Sequence, residues 1–146
     1  MRMKQKTYRI LVVSGDAAFK ELVGEVFRSY GYAVFLADTG YRALRDVKDH
    51  LVDAVVLDHE TPFMKHRSMS RSPDPLQAIA DEHPFLPVVL TCRSRAALAP
   101  STLSMAAVVL ETPVKYSALL RAVETLLNGT PRQRPPCKAE DLRVLT

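Results

Sequence analysis

Short apolar runs alternate along the chain with longer stretches in which apolar residues recur every three or four positions. The apolar runs are typical of strands, and most of them stop at polar or turn-forming residues. Five strands are predicted in this way, at residues 8–13, 33–37, 52–57, 87–90 and 107–110. The other stretches have the spacing of helices with one buried face, as in residues 17–30, before Gly31, and in residues 116–127.

This alternation predicts a parallel sheet, because each helix must return the chain to the same end of the sheet before the next strand begins. Strands that are apolar on both faces need helices on both faces to cover them. We therefore expect an α/β fold in three layers, with a doubly wound, five-stranded parallel sheet at its centre.

Two segments interrupt the alternation. Residues 60–75 are rich in serine, proline and basic residues, so the third helix is expected to begin late, near Asp74 or Pro75. Pro100 falls within the fourth predicted helix, which should be short or bent because proline lacks an amide donor. Residues 1–129 are assigned to one domain, and residues 130–146, rich in proline and charge, to a C-terminal tail.

The composition narrows the class of protein. The chain has 146 residues, of which 47% are hydrophobic and 25% charged, as expected of one well-cored globular domain. No apolar run approaches the roughly 20 residues of a membrane span, and no cleavable leader is recognised, so a cytoplasmic protein without a membrane partner is expected. Cys92 and Cys137 lie far apart and are expected to be free thiols.

The formal net charge of +4 raises the question of nucleic-acid binding. A dedicated binder should concentrate its basic residues on one face or carry a recognition element. Here the basic residues are spread over the N-terminus, the segment 60–75 and the tail. We expect no nucleic-acid partner, and a basic adaptor that touches nucleic acid through this segment and the tail ranks as the third hypothesis.

Polar residues follow three of the predicted strands at the edge where those strands end. Ser14, Gly15 and Asp16 follow the first strand, Asp58 follows the third and Thr91 follows the fourth. In doubly wound sheets, ligands bind beyond the carboxyl ends of the strands. The sequence therefore predicts a functional site at this edge.

Residues 8–127 resemble the receiver domain of two-component response regulators, which has a flavodoxin-like fold. The family's aspartate at the end of the third strand, with a proline four residues later, matches Asp58 and Pro62. Its hydroxyl residue at the end of the fourth strand matches Thr91, and its proline after the fifth strand matches Pro113. The resemblance implies that Asp58 is the phosphoacceptor and that Thr91 and Pro113 belong to the switch side of the pocket.

The chain departs from the family at the positions that carry chemistry. Ser14 and Gly15 replace the acidic pair that would hold Mg²⁺ beside the phosphoacceptor, so Asp16 and Asp58 remain as candidate metal ligands. Thr112 replaces the lysine that would pair with the phosphoryl group. The aromatic switch residue falls on Val109. We therefore expect no cofactor, and impaired binding of Mg²⁺.

Several residues of the predicted pocket allow more than one interpretation. Glu60 and Arg93 each lie two residues beyond a strand-end residue, which predicts an ion pair over the pocket. Alternatively, Arg93 supplies positive charge to Asp58 in place of a metal. Asp16 is interpreted as a metal ligand or, in preference, as the N-cap of the first helix. Thr91 is either a switch residue or a strand-end hydroxyl bonded to a loop amide.

The leading hypothesis is a stand-alone, receiver-like signalling domain that is phosphorylation-deficient and acts through protein–protein contact. We expect no enzyme, since the usual catalytic motifs are absent. The expected partner is a histidine kinase or an effector, and the resemblance implies a homodimer through residues 97–103 and 114–127. The alternative is a phosphoacceptor that a histidine kinase still phosphorylates on Asp58, with Asp16 and Arg93 in altered roles.

Overall fold

The apolar runs predicted as strands form one parallel sheet in the computed structural model, which describes residues 7–61 and 75–128. The strands lie in the order β2-β1-β3-β4-β5, so the chain winds outward from β1 in both directions. The predicted doubly wound, flavodoxin-like fold is confirmed. The strand bounds are β1 (Arg9–Val13), β2 (Ala33–Ala37), β3 (Ala54–Asp58), β4 (Val88–Cys92) and β5 (Val108–Glu111).

Helices cover both faces of this sheet and complete three layers. Residues of the first and last helices share one core cluster, and residues of the second, third and fourth helices pack in the other. The helix bounds are α1 (Ala17–Ser29), α2 (Gly40–His50), α3 (Pro75–Glu82), α4 (Pro100–Met105) and α5 (Tyr116–Asn128).

The two core clusters follow from the alternation of side chains along each strand. In β1, Ile10 and Val12 pack on the α1 and α5 side, whereas Leu11 and Val13 pack on the side of the other three helices. All four side chains are fully buried. A strand with both faces buried reads as a continuous apolar run, which is why this pattern predicts a central parallel strand.

The predicted interruptions match the helix ends. Pro100 is the first residue of the short helix α4, where its missing amide donor has no intrahelical role. Helix α3 begins at Pro75, as expected. Helix α1 ends at Ser29, and Gly31 follows it with a φ of 93°, a conformation that favours glycine. The matched Pro62 and the tail assigned to residues 130–146 lie outside the described residues.

The longest helices of the described ranges, α1 and α5, have 13 residues each. Within those ranges, no helix is long and apolar enough to cross a membrane.

Candidate functional site

The carboxyl ends of the strands bring the predicted site residues together. Asp58 ends β3 and lies in register with Thr91 of β4, and Ser14 directly follows β1. An open cleft of ≈ 560 Å³ lies at this edge. The cleft is lined by seven of the predicted residues, namely Asp16, Asp58, Glu60, Thr91, Arg93, Thr112 and Pro113.

The Asp58 carboxylate is partly buried and is held by hydrogen bonds from two different loops. Its Oδ2 accepts a hydrogen bond from the Ser14 hydroxyl at 3.1 Å. Its Oδ1 accepts a longer hydrogen bond from the backbone amide of Glu60 at 3.3 Å. Because charged acceptors make the stronger hydrogen bonds, these two donors orient the carboxylate.

Ser14 is fully buried, and its backbone amide and its hydroxyl both have partners. Its backbone amide donates to the carbonyl oxygen of Ala37 at 3.0 Å, which extends the β1–β2 pairing by one residue. Its hydroxyl oxygen also accepts a hydrogen bond from the backbone amide of Asp16 at 3.0 Å. The sequence places Ser14 at this edge, and the resemblance marks it as a missing acid, but its direct contact with Asp58 is seen only in the structure.

Asp16 caps helix α1. Its Oδ1 accepts a hydrogen bond from the backbone amide of Phe19 at 3.1 Å, and its backbone conformation is extended, as at other N-caps. The preferred interpretation of Asp16 as an N-cap is therefore confirmed. The side chain also borders the cleft.

The β4 and β5 side of the cleft differs because its buried hydroxyl is not hydrogen-bonded to any described residue. Thr91 is fully buried, and its Oγ1 has no hydrogen-bond partner among the described residues. Its backbone takes part in the sheet pairing with β3 and β5, and its carbonyl oxygen accepts a hydrogen bond from the amide of His59 at 2.8 Å. The expectation that the Thr91 hydroxyl bonds a loop amide is therefore wrong. On this side Val109 is buried, and the peptide bond between Thr112 and Pro113 is cis.

The expected ion pair between Glu60 and Arg93 is not formed. Both side chains are exposed at the cleft, but no salt bridge joins them among the described residues. The Glu60 carboxylate instead lies 4.0 Å from His59 Nδ1, an ion pair only when the imidazole is protonated. The prediction fails because both side chains extend into solvent, where a single exposed pair gains little over hydration.

Cys92 is a buried free thiol at the cleft that the sequence analysis does not connect with the site. Burial raises the pKa of the Cys92 thiol, and the carboxylates of Glu111 and Asp58 add to this rise. The guanidinium of Arg95 and the backbone amide of Ser94 act in the opposite direction. Its position directly after Thr91 at the end of β4 is the signal that could place it there.

The donors at this edge of the sheet determine how well it could hold a metal ion. Across residues 7–61 and 75–128, no three His, Cys, Asp or Glu side chains are grouped so that they could hold a metal ion. Gly15 has no side-chain donor, and the hydrogen of the Ser14 hydroxyl points to the Asp58 carboxylate because a carboxylate can only accept. Ser14 and Gly15 therefore add no negative charge beside Asp58, and this edge fits Mg²⁺, which binds through carboxylates and retained waters, less well than an acidic pair would.

Comparisons with known proteins agree with this architecture. No family model matches the chain. The response regulator MprA of Mycobacterium sp. (strain KMS) is 33% identical over 129 residues, which cover 88% of this chain and 54% of MprA. MprA of Mycobacterium sp. (strain JLS) matches to the same extent. The chain thus spans about half the length of the curated relatives it matches.

Three solved structures with a similar fold are a receiver domain of NtrX, a receiver domain of a LuxO-type protein and a response regulator. The receiver domain of NtrX from Brucella abortus is 25% identical, with a TM-score of 0.70 over 83% of this chain and 99% of that one. The receiver domain of a LuxO repressor protein from Vibrio parahaemolyticus is 21% identical, with a TM-score of 0.71 over 84% and 92%. The response regulator TrrA of Thermotoga maritima, solved with Mg²⁺ and BeF, is 22% identical, with a TM-score of 0.69 over 82% and 99%.

Proposed function

Because this chain is a receiver domain of the response-regulator family, with a role in signal transduction, we propose that it is a phosphorylation-deficient member that acts through contact with a protein partner. The single observation that carries this proposal is the hydrogen bond from the Ser14 hydroxyl to Asp58 Oδ2. At this position the resemblance calls for an acid that helps to hold a metal ion.

Loss of the metal site would remove the cation that neutralises charge during phosphoryl transfer. Magnesium keeps several waters and is bound by one or two carboxylates together with phosphate oxygens. Asp16 is the other candidate carboxylate, but it is engaged as the N-cap of α1. Ser14 and Gly15 contribute no negative charge, so the chain offers Mg²⁺ a weaker site than an acidic pair would.

Loss of the family lysine would remove a second source of charge stabilisation. Thr112 carries a neutral hydroxyl where the resemblance calls for an ammonium group, and it lies exposed at the cleft. Preorganised cations at the developing charge supply a large part of the rate in such transfers. Arg93 borders the cleft and is the one candidate replacement among the predicted site residues.

Contact with a protein partner suits a domain that keeps the cleft but lacks the charged groups that phosphoryl transfer needs. By resemblance, the candidate contact faces are residues 97–103 and 114–127, which include much of α4 and α5. Tyr116, at the start of α5, is an exposed aromatic residue that also borders the cleft. A histidine kinase, an effector or a second copy of the chain could use these faces. In this proposal the domain is a binding module and not an enzyme.

The proposal is tested by incubating the chain with Mg²⁺ and acetyl phosphate and measuring its intact mass. We expect no stoichiometric increase in mass, and no difference between the chain and its Asp58→Asn variant. The triple variant Ser14→Asp/Gly15→Asp/Thr112→Lys, which restores the three replaced charges, serves as the positive control if its circular dichroism spectrum is unchanged.

A magnesium-dependent adduct that is absent from Asp58→Asn would overturn the proposal. That result would favour the alternative, in which a histidine kinase phosphorylates Asp58 and Arg93 takes over part of the missing charge.

A further inference from the structure

Ser14 connects the Asp58 carboxylate to the start of helix α1 through two hydrogen bonds in series. The Asp16 amide donates to the Ser14 hydroxyl oxygen at 3.0 Å, and the Ser14 hydroxyl donates to Asp58 Oδ2 at 3.1 Å. The direction of both bonds is determined, because a backbone amide can only donate and an ionised carboxylate can only accept.

The position of the Ser14 hydroxyl is fixed from every side. The backbone of Ser14 is tied to β2 through the carbonyl oxygen of Ala37. The Ser14 side chain has no exposed surface, and the two groups bonded to its hydroxyl belong to residues that border the cleft. A buried hydroxyl with both a donor and an acceptor engaged has a single preferred orientation, and moving either partner disturbs the other bond.

We propose that Ser14 is a positioning residue that takes the place of a metal ion at Asp58 and couples the state of this carboxylate to the N-terminus of α1. This coupling rests on the proposed function, because a bound metal ion would compete for the same carboxylate oxygen. A group that engages Asp58 Oδ2 from the cleft competes with the Ser14 hydroxyl for the charge on that oxygen. Weakening or displacing this hydrogen bond frees the hydroxyl to turn, so the Asp16 amide loses an oriented acceptor and the cap of α1 responds.

On the opposite side of the cleft, no side chain of residues 7–61 and 75–128 makes an equivalent hydrogen bond to Asp58. Thr91 is the register neighbour of Asp58, yet its Oγ1 bonds to no described residue. Val109 occupies the position at which the resemblance calls for an aromatic ring. We therefore expect a change at the Asp58 carboxylate to affect the β1–α1 corner, which is formed by Ser14, Asp16 and the first turn of α1.

Hydrogen exchange of single amides, followed by NMR at constant pH without phosphate donors or metal ions, tests the coupling. In Asp58→Ala the Asp16 amide should exchange roughly five- to tenfold faster, as expected for loss of about one hydrogen bond. In Asp58→Asn its exchange should stay near that of the unchanged chain, because the carboxamide oxygen still accepts from Ser14. In Ser14→Ala the acceleration should be at least as large as in Asp58→Ala.

The matched internal control is the N-cap of α2, where Thr39 Oγ1 accepts from the amide of Arg42 at 3.1 Å. This cap has no hydrogen bond to Asp58, so the ratio of exchange at Asp16 to exchange at Arg42 cancels any change in global stability. A ratio that rises in Asp58→Ala and Ser14→Ala but not in Asp58→Asn supports the coupling.

An unchanged ratio in Asp58→Ala overturns the coupling, and so does an equal rise in Asp58→Asn. Either failure leaves the proposed function standing, since that depends on the mass measurement with acetyl phosphate. Conversely, an adduct on Asp58 would refute the proposed function without altering the exchange ratios measured here in the absence of metal.

Discussion

The two sides of the cleft contain hydroxyl groups that are equally buried but differently used. On the β1–α1 side, the Ser14 hydroxyl accepts from one group and donates to another. On the β4–β5 side, the Thr91 hydroxyl has no partner among the described residues. Both residues stand at strand ends where the family places chemistry. The hydroxyl on the first side therefore holds Asp58, whereas the hydroxyl on the second side bonds to no described residue.

The two hydroxyls should contribute to the free energy of unfolding with opposite signs. A satisfied, buried hydrogen bond to a charged group stabilises a fold by about 1.5–3 kcal/mol. A buried hydroxyl without a partner costs about 1–3 kcal/mol, because its hydration is lost without compensation. Substitutions on the two sides should therefore separate clearly in the free energy of unfolding, and we order them from the largest expected effect to the smallest.

Ser14→Asp should have the largest effect. It places a second carboxylate beside Asp58 at a position without solvent exposure, and an uncompensated buried charge costs about 3–5 kcal/mol. Urea denaturation in the presence of a chelator measures this loss. The matched control is Ser14→Asn, which has the same size without the charge and should lose much less. Equal losses in the two variants would show that like-charge repulsion at Asp58 is unimportant.

Ser14→Ala should lower the free energy of unfolding by about 2 kcal/mol, since it leaves the Asp16 amide and the Asp58 carboxylate each short of one partner. Ser29→Ala is the control, because the Ser29 hydroxyl is exposed and bonds only to the nearby carbonyl of Val26. We expect that control to change the stability by less than about 0.5 kcal/mol. If Ser14→Ala left the free energy of unfolding unchanged, the claim that the Ser14 hydroxyl holds Asp58 would be contradicted.

Asp16→Ala should cost about 1 kcal/mol, the usual effect of removing a helix N-cap. Thr39→Ala removes the corresponding cap of α2 and should cost a similar amount. Thermal unfolding of the two variants compares the caps directly. A much larger loss in Asp16→Ala would mean that its carboxylate acts in the cleft beyond capping α1.

Thr91→Val should raise the free energy of unfolding by about 1 kcal/mol, because it replaces an unpartnered hydroxyl by a methyl group of the same shape. The matched control is Thr61→Val, since the Thr61 hydroxyl is also buried but donates to the carbonyl of Val13 at 3.4 Å. That control should be neutral or destabilising. A destabilised Thr91→Val would show that the second side uses its hydroxyl after all.

The sheet and the membership of the site can be predicted from sequence because they depend on local pattern and topology. Runs of β-branched residues predict the strands, and the rule that parallel strands end at one edge places Asp58 and Thr91 together. The structure confirms both, with strand ends moved by only one or two residues, as from residues 52–57 to Ala54–Asp58. Such ends depend on pairing across the sheet and not on propensity alone.

The contacts within the site cannot be predicted in the same way. The resemblance to receiver domains marks Ser14 as a missing acid, but the hydrogen bond to Asp58 depends on the orientation of one side chain in a buried corner. The Glu60 and Arg93 pair is predicted from spacing alone, and it fails because loop side chains in solvent have many other conformations. The missing partner of Thr91 is a property of packing that no local motif encodes.

The most direct test of this account is a pair of double-mutant cycles in the free energy of unfolding, measured by urea denaturation. One cycle combines Ser14→Ala with Asp58→Ala, and the other combines Thr91→Val with Asp58→Ala. We predict a coupling energy of about 1 kcal/mol or more for Ser14 with Asp58, and less than about 0.5 kcal/mol for Thr91 with Asp58. Equal coupling energies, or a larger one for Thr91, would contradict the account.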